Sequence, residues 1–335
     1  MERPKSRYAN VIAITATSVL LVLVSVIAFF VGSSSVSFQE FWALISGGTL
    51  SNSARSILIN VRLPRVLAAL LSGAALAISG AIIQAVLDNP LAGPNIIGIN
   101  SGAGLAVLLV SALVPGLLFL QPLAAFVGAL ITAIIIFIIS LGTGASRLTV
   151  VLAGIALSTI FGAGMNAILI VNPDAYIGAS RFLVGGLSGV LMTDLTWPAP
   201  YIIVGVIMAV FTANKLNIMS LGDATAHSLG VNVGFWRMLL LGLSALLAGA
   251  AVSFAGLLGF VGLIVPHLIR FFVGHDNRIV LPLSGAFGAA FVVLCDLLSR
   301  VIFAPYEIPV GIFMAFVGGP FFIYLIIKNR RNGDG

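Results

Sequence analysis

The sequence is dominated by apolar runs of about 20 residues, each long enough for a helix to cross a lipid bilayer. Charged residues make up only 8% of the 335 residues, and hydrophobic residues make up 60%. A soluble domain carries about a quarter charged residues, so this chain could not cover a water-facing surface of its size. We therefore predict an all-α polytopic membrane protein with a single transmembrane domain over residues 1–335.

Most of the runs are clear, but one is doubtful. The doubtful run, 259–273, is short and contains Pro266, His267 and Arg270. Basic residues cluster near both ends of the chain, and such residues favour the cytoplasmic side of a membrane. Both termini should then be cytoplasmic, which requires an even number of crossings and makes 259–273 a tenth span. The predicted spans are 11–31, 66–87, 96–114, 117–141, 148–171, 195–213, 238–258, 259–273, 279–298 and 308–327.

Arginine departs from this charge rule on the predicted outer side. Every lysine falls inside in this topology, whereas Arg62, Arg65 and Arg300 fall outside. Arg62 and Arg65 are three residues apart, so they would share one helix face, with Pro64 suited to the first turn. Their side chains could extend to lipid phosphates, or they could form the two-pronged pairs with carboxylates that arginine favours. The second interpretation predicts an acidic protein that docks from outside.

The sequence lacks the common patterns of an enzyme or an ATPase. No lysine follows a glycine, so there is no GxxxxGK[ST] phosphate loop, and there is no HExxH zinc motif. The only acid well inside an apolar run is Asp296, whereas ion-coupled transporters usually carry ionisable groups within their spans. We therefore expect a transport subunit without an ATP site, metal or cofactor of its own. An ion-coupled transporter that depends on Asp296 is the alternative class.

The loop 214–237 is too polar for the membrane and is patterned like a short helix. Ser220 or Gly222 can cap its start, Asp223 suits the positive end of the helix dipole, and Gly230 is a natural stop. We expect about two turns of helix between these residues. The segment is either a solvated connector or a docking helix that fits a groove on a cytoplasmic partner.

The stretch "LDNPLAGPNIIGINSGAG", 87–104, interrupts the helices on the predicted inner side. Its Asn-Pro and Gly-Pro pairs break a helix, and Asn100 and Ser101 make the next span polar at its start. Polar or unwound backbone at membrane depth is tolerated where it lines a cavity. We expect Asn100 to line such a cavity, and the alternative is an ordinary turn followed by close helix packing.

Several motifs, taken in order, resemble the FecCD-type permeases, the membrane subunits of ABC importers for ferric siderophores, haem and cobalamin. The resemblance runs in one register from about residue 60 to the C-terminus. It is carried by "RLPR", "GAALAISGAIIQ", "NPLAGPNIIGINSGAG", "SLGDATAHSLG", "GFVGLIVPHLIRFFVG" and "CDLLSR…EIPVGIFMAFVGGPFFIYLI". "LLSGAALAISG" (70–80) and "LLAGAAVSFAG" (246–256) also echo each other, which suits the inverted repeat of that family.

The resemblance implies a ten-helix subunit of the type II importer architecture that pairs with a second permease subunit, identical or related. It also implies a cytoplasmic ATPase dimer, which holds the ATP and Mg²⁺, and an extracytoplasmic substrate-binding protein. Acidic residues of that binding protein would meet Arg62, Arg65 and Arg300. The family's cytoplasmic gate would lie at Asn89, Leu91, Ala145 and Ser146. Its ATPase-coupling element would comprise Ser220, Leu221, Gly222, Asp223, Ala226, Leu229 and Gly230.

The resemblance also implies the location and the substrate class. The chain would be a multi-pass protein of the bacterial cell membrane with both termini in the cytoplasm. We expect an iron–siderophore complex as the substrate, because ferric siderophores are carried by the broadest branch of the family. Haem and cobalamin are the alternatives.

Overall fold

The structure, a computed structural model, describes residues 7–32, 52–142 and 146–333, and all of its regular elements in these ranges are helical. A π-helical stretch, Ile57–Arg62, leads into α3, and a 3-10 turn, Pro115–Leu120, leads into α5. The helices are α1 (Arg7–Phe30), α2 (Asn52–Ser56), α3 (Leu63–Leu87), α4 (Ile99–Leu113), α5 (Gln121–Gly142), α6 (Arg147–Val171), α7 (Ala175–Val184), α8 (Met192–Leu195), α9 (Pro198–Met219), α10 (Asp223–Ser228), α11 (Val233–Ala255), α12 (Val261–Val273), α13 (Asn277–Val301) and α14 (Val310–Gly333).

The described residues contain seven helical segments long and apolar enough to cross a membrane and three shorter apolar helices. The shorter ones are α4, α12 and the first part of α14. Together they give the ten-helix, all-α membrane fold that the sequence predicts. The doubtful run is α12, which retains Pro266 within the helix.

Helix α3 lies at the centre of the bundle, where it packs against α9, α11, α12 and α13. The neighbours approach closely because glycines face each other at the crossings. A β-carbon on Gly80 would lie 1.8 Å from the carbonyl oxygen of Gly262, and one on Gly73 would lie 2.3 Å from that of Gly288. In a membrane, where water does not drive helices together, such close packing is a main source of association.

The predicted loop 214–237 is shorter in the structure than in the sequence analysis. Helix α9 continues to Met219 and α11 already begins at Val233, so only 220–232 lies outside these two helices. The polar residues at both ends of the predicted loop are helical, and they extend α9 and α11 beyond the apolar parts of these helices. Lys215 lies over the ring of Trp236, with its Nζ 5.5 Å from the ring centroid, and this cation–π contact joins the two ends.

Helix α7 and the 3-10 turn before α5 were not predicted from the sequence. Helix α7 has only ten residues, and several of its side chains are exposed. It packs on α4 beside this 3-10 turn. The two echoing segments, 70–80 and 246–256, lie on α3 and α11, which pack against each other. The inverted repeat itself stays a prediction.

Candidate functional site

The three predicted docking arginines converge in one buried cluster. Arg65 donates from Nε to both carboxylate oxygens of Asp296, at 3.0 and 3.1 Å, and its Nη1 is 2.7 Å from Oε2 of Glu307. Arg300 is one turn beyond Asp296, and its Nε is 3.1 Å from Asp296 Oδ2. The carboxylate of Asp296 therefore joins α3 to α13 through two guanidinium groups.

The cluster is also tied to the end of α1. Arg62 donates to the carbonyl oxygens of Phe29 and Phe30, and Arg300 Nη2 donates to that of Ala28 at 3.3 Å. These are the last carbonyls of α1, which lack partners within the helix. The arginines thus cap α1 as well as binding the carboxylates.

The side chains of this cluster are more enclosed than the sequence analysis expected. Arg62, Arg65 and Arg300 are exposed by only 3%, 6% and 2%, so none of them extends as a free side chain at the surface. Arginine does form the two-pronged pairs with carboxylates that it favours, but these carboxylates belong to this chain. Docking of an external protein at these residues stays a prediction.

The predicted inner gate lies where α3 ends. Asp88 adopts the left-handed conformation, with φ 49°, and terminates α3. The side-chain oxygen of Asn89 then accepts a hydrogen bond from the backbone N–H of Leu91 at 2.9 Å, which forms a tight turn. Both side chains are partly buried. The segment is therefore ordered by its own side chains.

The other gate and path residues lie on α4 and α6. Ser146 caps α6, and its hydroxyl oxygen accepts a hydrogen bond from the backbone N–H of Thr149 at 3.1 Å. Asn100, 9% exposed, lies in the first turn of α4, and its Oδ1 has no hydrogen-bond partner among the described residues. Ala145 lies outside the described residues. The place of Asn100 on a translocation path stays a prediction.

The predicted coupling segment forms the short helix α10. Gly222, with φ 100°, precedes it, and Gly230, with φ 77°, follows it. Asp223 is its first residue and is bound by Arg237 of α11, whose Nη2 lies 2.8 Å from both carboxylate oxygens. Of the two proposed caps, Gly222 takes the position, whereas the Ser220 hydroxyl donates back to Asn217.

One face of α10 is anchored and its two flanks are open. Ala226 is fully buried, whereas Leu221 and Leu229 are 60% and 59% exposed. Burial raises the pKa of Asp223, but the hydrogen bond and charge of Arg237, followed by the charge of Arg147, outweigh it and leave that pKa below its usual value. Asp223 is thus held as a carboxylate, and the exposed leucines form an apolar surface on either side of the helix.

A junction of three unwound segments was missed in the sequence analysis. Leu257 donates its backbone N–H to the Phe182 carbonyl at 2.9 Å, Gly186 to that of Ala255 at 2.9 Å, and Gly311 to that of Gly185. These bonds satisfy backbone groups where α7 and α11 end and α14 begins, as backbone at membrane depth requires. Glycines at 185, 256 and 311 were the signal, because closely meeting chains need residues without a side chain.

A cavity of about 390 Å³ opens beside this junction. Gln121, Arg181, Asp194 and Ser253 contribute polar side chains to its wall, together with the glycines of the junction. The cavity lies at the end of the bundle opposite α10, because α7 and α8 come after the end of α6 that is farther from α10. The arrangement thus has a cavity with several polar wall residues towards one end, and the helix-breaking turn predicted to form the gate towards the other.

These features are those of a helical membrane permease with several spans, in which the anchored helix α10 is exposed between α9 and α11. The model of the FecCD transport family matches residues 20–328, and the chain belongs to that family. It is accordingly a permease of the ABC transporter class, a transport subunit of the bacterial plasma membrane.

Similar proteins extend over nearly the whole chain. The hemin transport system permease protein HmuU of Yersinia pestis is 39% identical over 324 residues, which cover 95% of this chain and 96% of that protein. The probable heme-iron transport system permease protein IsdF of Staphylococcus aureus strain bovine RF122 is 38% identical over 314 residues, which cover 94% of this chain and 95% of that protein.

Solved structures agree with the fold. A metal-chelate type ABC transporter in an inward-facing conformation superposes with a TM-score of 0.83 at 29% identity, over 94% of this chain and 98% of that one. PsaBC from Streptococcus pneumoniae has a TM-score of 0.55 at 21% identity and covers 77% of this chain and 89% of its own. The second likeness concerns the fold alone.

Proposed function

We propose that the chain is the membrane permease of a haem importer. The observation that carries this proposal is the 39% identity to a hemin permease along almost the full length of both chains. The family resemblance alone favours an iron–siderophore complex, with haem and cobalamin as the alternatives. The relatives named for hemin and heme-iron transport favour the haem alternative, so we place haem first and siderophores second.

The energy for import would come from a separate ATPase that docks at α10. This proposal is supported by the anchoring of Asp223 to Arg237 and by the exposure of Leu221 and Leu229. A short helix held firmly on one side and apolar on its flanks suits a groove on a partner. ATP and Mg²⁺ would be bound by that partner, and both termini of this chain would lie on the same, cytoplasmic side.

A second permease subunit would cover α6. Only 11% of the apolar window of α6 is buried within this chain, so most of its length faces outward. Asn166 is exposed within that span, and an amide facing lipid is unfavourable. A partner subunit or a water-filled path along α6 would remove this cost. We place the translocation path at this surface, between the two permease subunits.

An extracytoplasmic binding protein would deliver haem at the end that carries Arg62, Arg65 and Arg300. Within this cluster, three guanidinium groups stand against the carboxylates of Asp296 and Glu307, which leaves the cluster itself net positive. Carboxylates of a docking protein would be attracted there. Such attraction mainly speeds association and is weakened by salt.

The competing class is an ion-coupled transporter that uses Asp296. The structure supports a structural role for this acid instead, because Asp296 is 2% exposed and is paired with both Arg65 and Arg300. Both contacts use this carboxylate to join α3 to α13, which is a role in the packing of the bundle.

Uptake in cells tests the substrate directly. Cells that lack this chain, with and without a restored copy, are supplied with labelled haem, a panel of labelled ferric siderophores, or labelled cobalamin. We expect restoration of haem uptake alone, and its loss when the partner ATPase is inactivated. Restoration of siderophore uptake without haem would overturn the substrate proposal, and uptake that survives ATPase inactivation but not Asp296→Asn would favour ion coupling.

A further inference from the structure

Four charged residues form a continuous chain of ion pairs at the end of the bundle that carries α10. Arg237 binds Asp223 at 2.8 Å, and Asp223 Oδ1 lies 3.4 Å from Arg147 Nη2. The other terminal nitrogen of Arg147, Nη1, lies 2.7 Å from Oδ2 of Asp88. Arg147 thus uses separate nitrogens for the two carboxylates and stands between them.

Each of the four residues belongs to a different structural element. Asp88 terminates α3 and directly precedes the turn formed by Asn89. Arg147 is the first residue of α6, Asp223 is the first residue of α10, and Arg237 lies near the start of α11. The chain of pairs therefore connects the helix proposed to meet the ATPase with the turn proposed to form the inner gate.

The links in this chain differ in strength. Arg237 is 3% exposed and holds both oxygens of Asp223, and the pair between Arg147 and Asp88 is short. The contact between Arg147 and Asp223 is the longest of the three, and Arg147 Nη2 is shared with the Met219 carbonyl at 3.5 Å. A small displacement of α10 would change this middle contact first.

Stability alone does not account for the arrangement. The carboxylate side chains of Asp88 and Asp223 are 62% and 52% exposed, and ion pairs this open to water contribute little net stability. Their geometry can nevertheless transmit position, because energetic coupling between sites is carried by hydrogen-bond and ion-pair networks that have more than one arrangement.

We propose that Arg147 is a positioning residue for transport, which links the ATPase-facing helix α10 to the gate turn after α3. Movement of α10 is passed through Asp223 and Arg147 to Asp88, and so to Asn89 and Leu91. This inference rests on the proposed function, because the docking of the ATPase at α10 is itself proposed.

The test measures how tightly ATP hydrolysis and import are coupled. The permease is reconstituted in vesicles with its partner ATPase and binding protein, and haem uptake and ATP hydrolysis are followed together. We expect Arg147→Gln and Asp88→Asn each to lower the haem imported per ATP by about fivefold or more, while hydrolysis continues. The double variant should lower the haem imported per ATP no further than the more severe single variant does, because both substitutions break the same ion pair.

A matched control removes an arginine at the same end of the bundle. Arg278, in the first turn of α13, donates to the side-chain oxygen of Asn214 and takes no part in the chain of pairs. Arg278→Gln should keep the ratio of haem to ATP. Co-purification of each variant with the ATPase reports whether the complex is still assembled.

A second readout needs no substrate and keeps this inference separate from the proposed function. Leu91→Cys is labelled with a thiol reagent, and the native thiol, Cys295, is buried. Addition of ATP should change the rate at which the thiol at position 91 is labelled when Arg147 is retained. It should leave that rate unchanged when Arg147→Gln is also present. If the two backgrounds respond alike, or if uptake and hydrolysis fall in equal proportion, the inference is wrong. If wild-type complexes import no haem but show the labelling difference, only the substrate proposal fails.

Discussion

At the scale of single residues, Asp296 connects two helices through one carboxylate. It binds Arg65 of α3 and Arg300 of α13 while only 2% exposed. Removal of one partner from a buried ion pair leaves uncompensated charge, and this destabilises by about 3–5 kcal/mol.

We therefore expect Asp296→Asn to lower the free energy of unfolding by several kcal/mol and to reduce the melting temperature of the purified permease. Asp174→Asn is the control, because Asp174 is exposed and its side chain makes no capping hydrogen bond to α7. Thermal unfolding in detergent measures both variants. Equal melting temperatures for the two would contradict a structural role for Asp296.

The pKa of Asp223 gives a prediction of pH dependence. Its pKa is lowered from 3.8 in the folded protein, so the stability it contributes is present above that value and is lost as the pH falls through the folded pKa. Asp223→Asn should therefore melt only slightly below wild type at neutral pH, because a half-exposed carboxylate contributes little net stability, and the two melting temperatures should converge only below pH 3.8. Convergence well above that value would mean that the ion pair with Arg237 is not maintained.

At the scale of helices, the crossing of α3 and α12 depends on Gly80. A β-carbon there would overlap the Gly262 carbonyl, whereas a β-carbon on Gly242 of α11 meets nothing within 4 Å. Gly80→Ala should then destabilise the permease by about 1–3 kcal/mol or more, as overpacking does, and Gly242→Ala should be close to neutral. The two variants are compared by the yield of folded protein and by thermal unfolding. Equal stability of Gly80→Ala and Gly242→Ala would contradict this close crossing.

The flanks of α10 give the second prediction at this scale. Leu229→Glu places a charge on the apolar surface proposed to meet the ATPase, and we expect association with the ATPase to weaken more than about tenfold. Leu191→Glu is the matched control, since Leu191 is 54% exposed at the opposite end of the bundle. Binding of the purified ATPase is measured for each variant. Undiminished binding by Leu229→Glu would remove α10 as the docking site.

The helices themselves could be predicted because apolar runs report directly on membrane crossing. Their ends could not, since α9 and α11 continue through the polar residues around Lys215 and Trp236. Helix α7 was missed because its ten residues include no long apolar run. Hydrophobicity predicts what enters the membrane, but it is a weak guide to where a helix stops in water.

At the scale of the whole molecule, long-range pairing was beyond the sequence analysis. Arg65 and Asp296 are separated by 231 positions, and no local pattern indicates that α3 and α13 bring them together. The sequence did indicate that the arginines were unusual and that arginine favours carboxylates. It did not indicate that the carboxylates would come from the same chain, or that Arg147 would pair with Asp223 of α10 and with Asp88 at the end of α3.

The central proposal is that this permease imports haem with energy from a separate ATPase. The most direct measurement is transport of labelled hemin into vesicles that contain the permease, its ATPase and its binding protein, with and without ATP. We predict ATP-dependent accumulation of hemin and none when a ferric siderophore or cobalamin replaces it. Siderophore or cobalamin accumulation without hemin, or hemin accumulation that needs no ATP, would contradict the account.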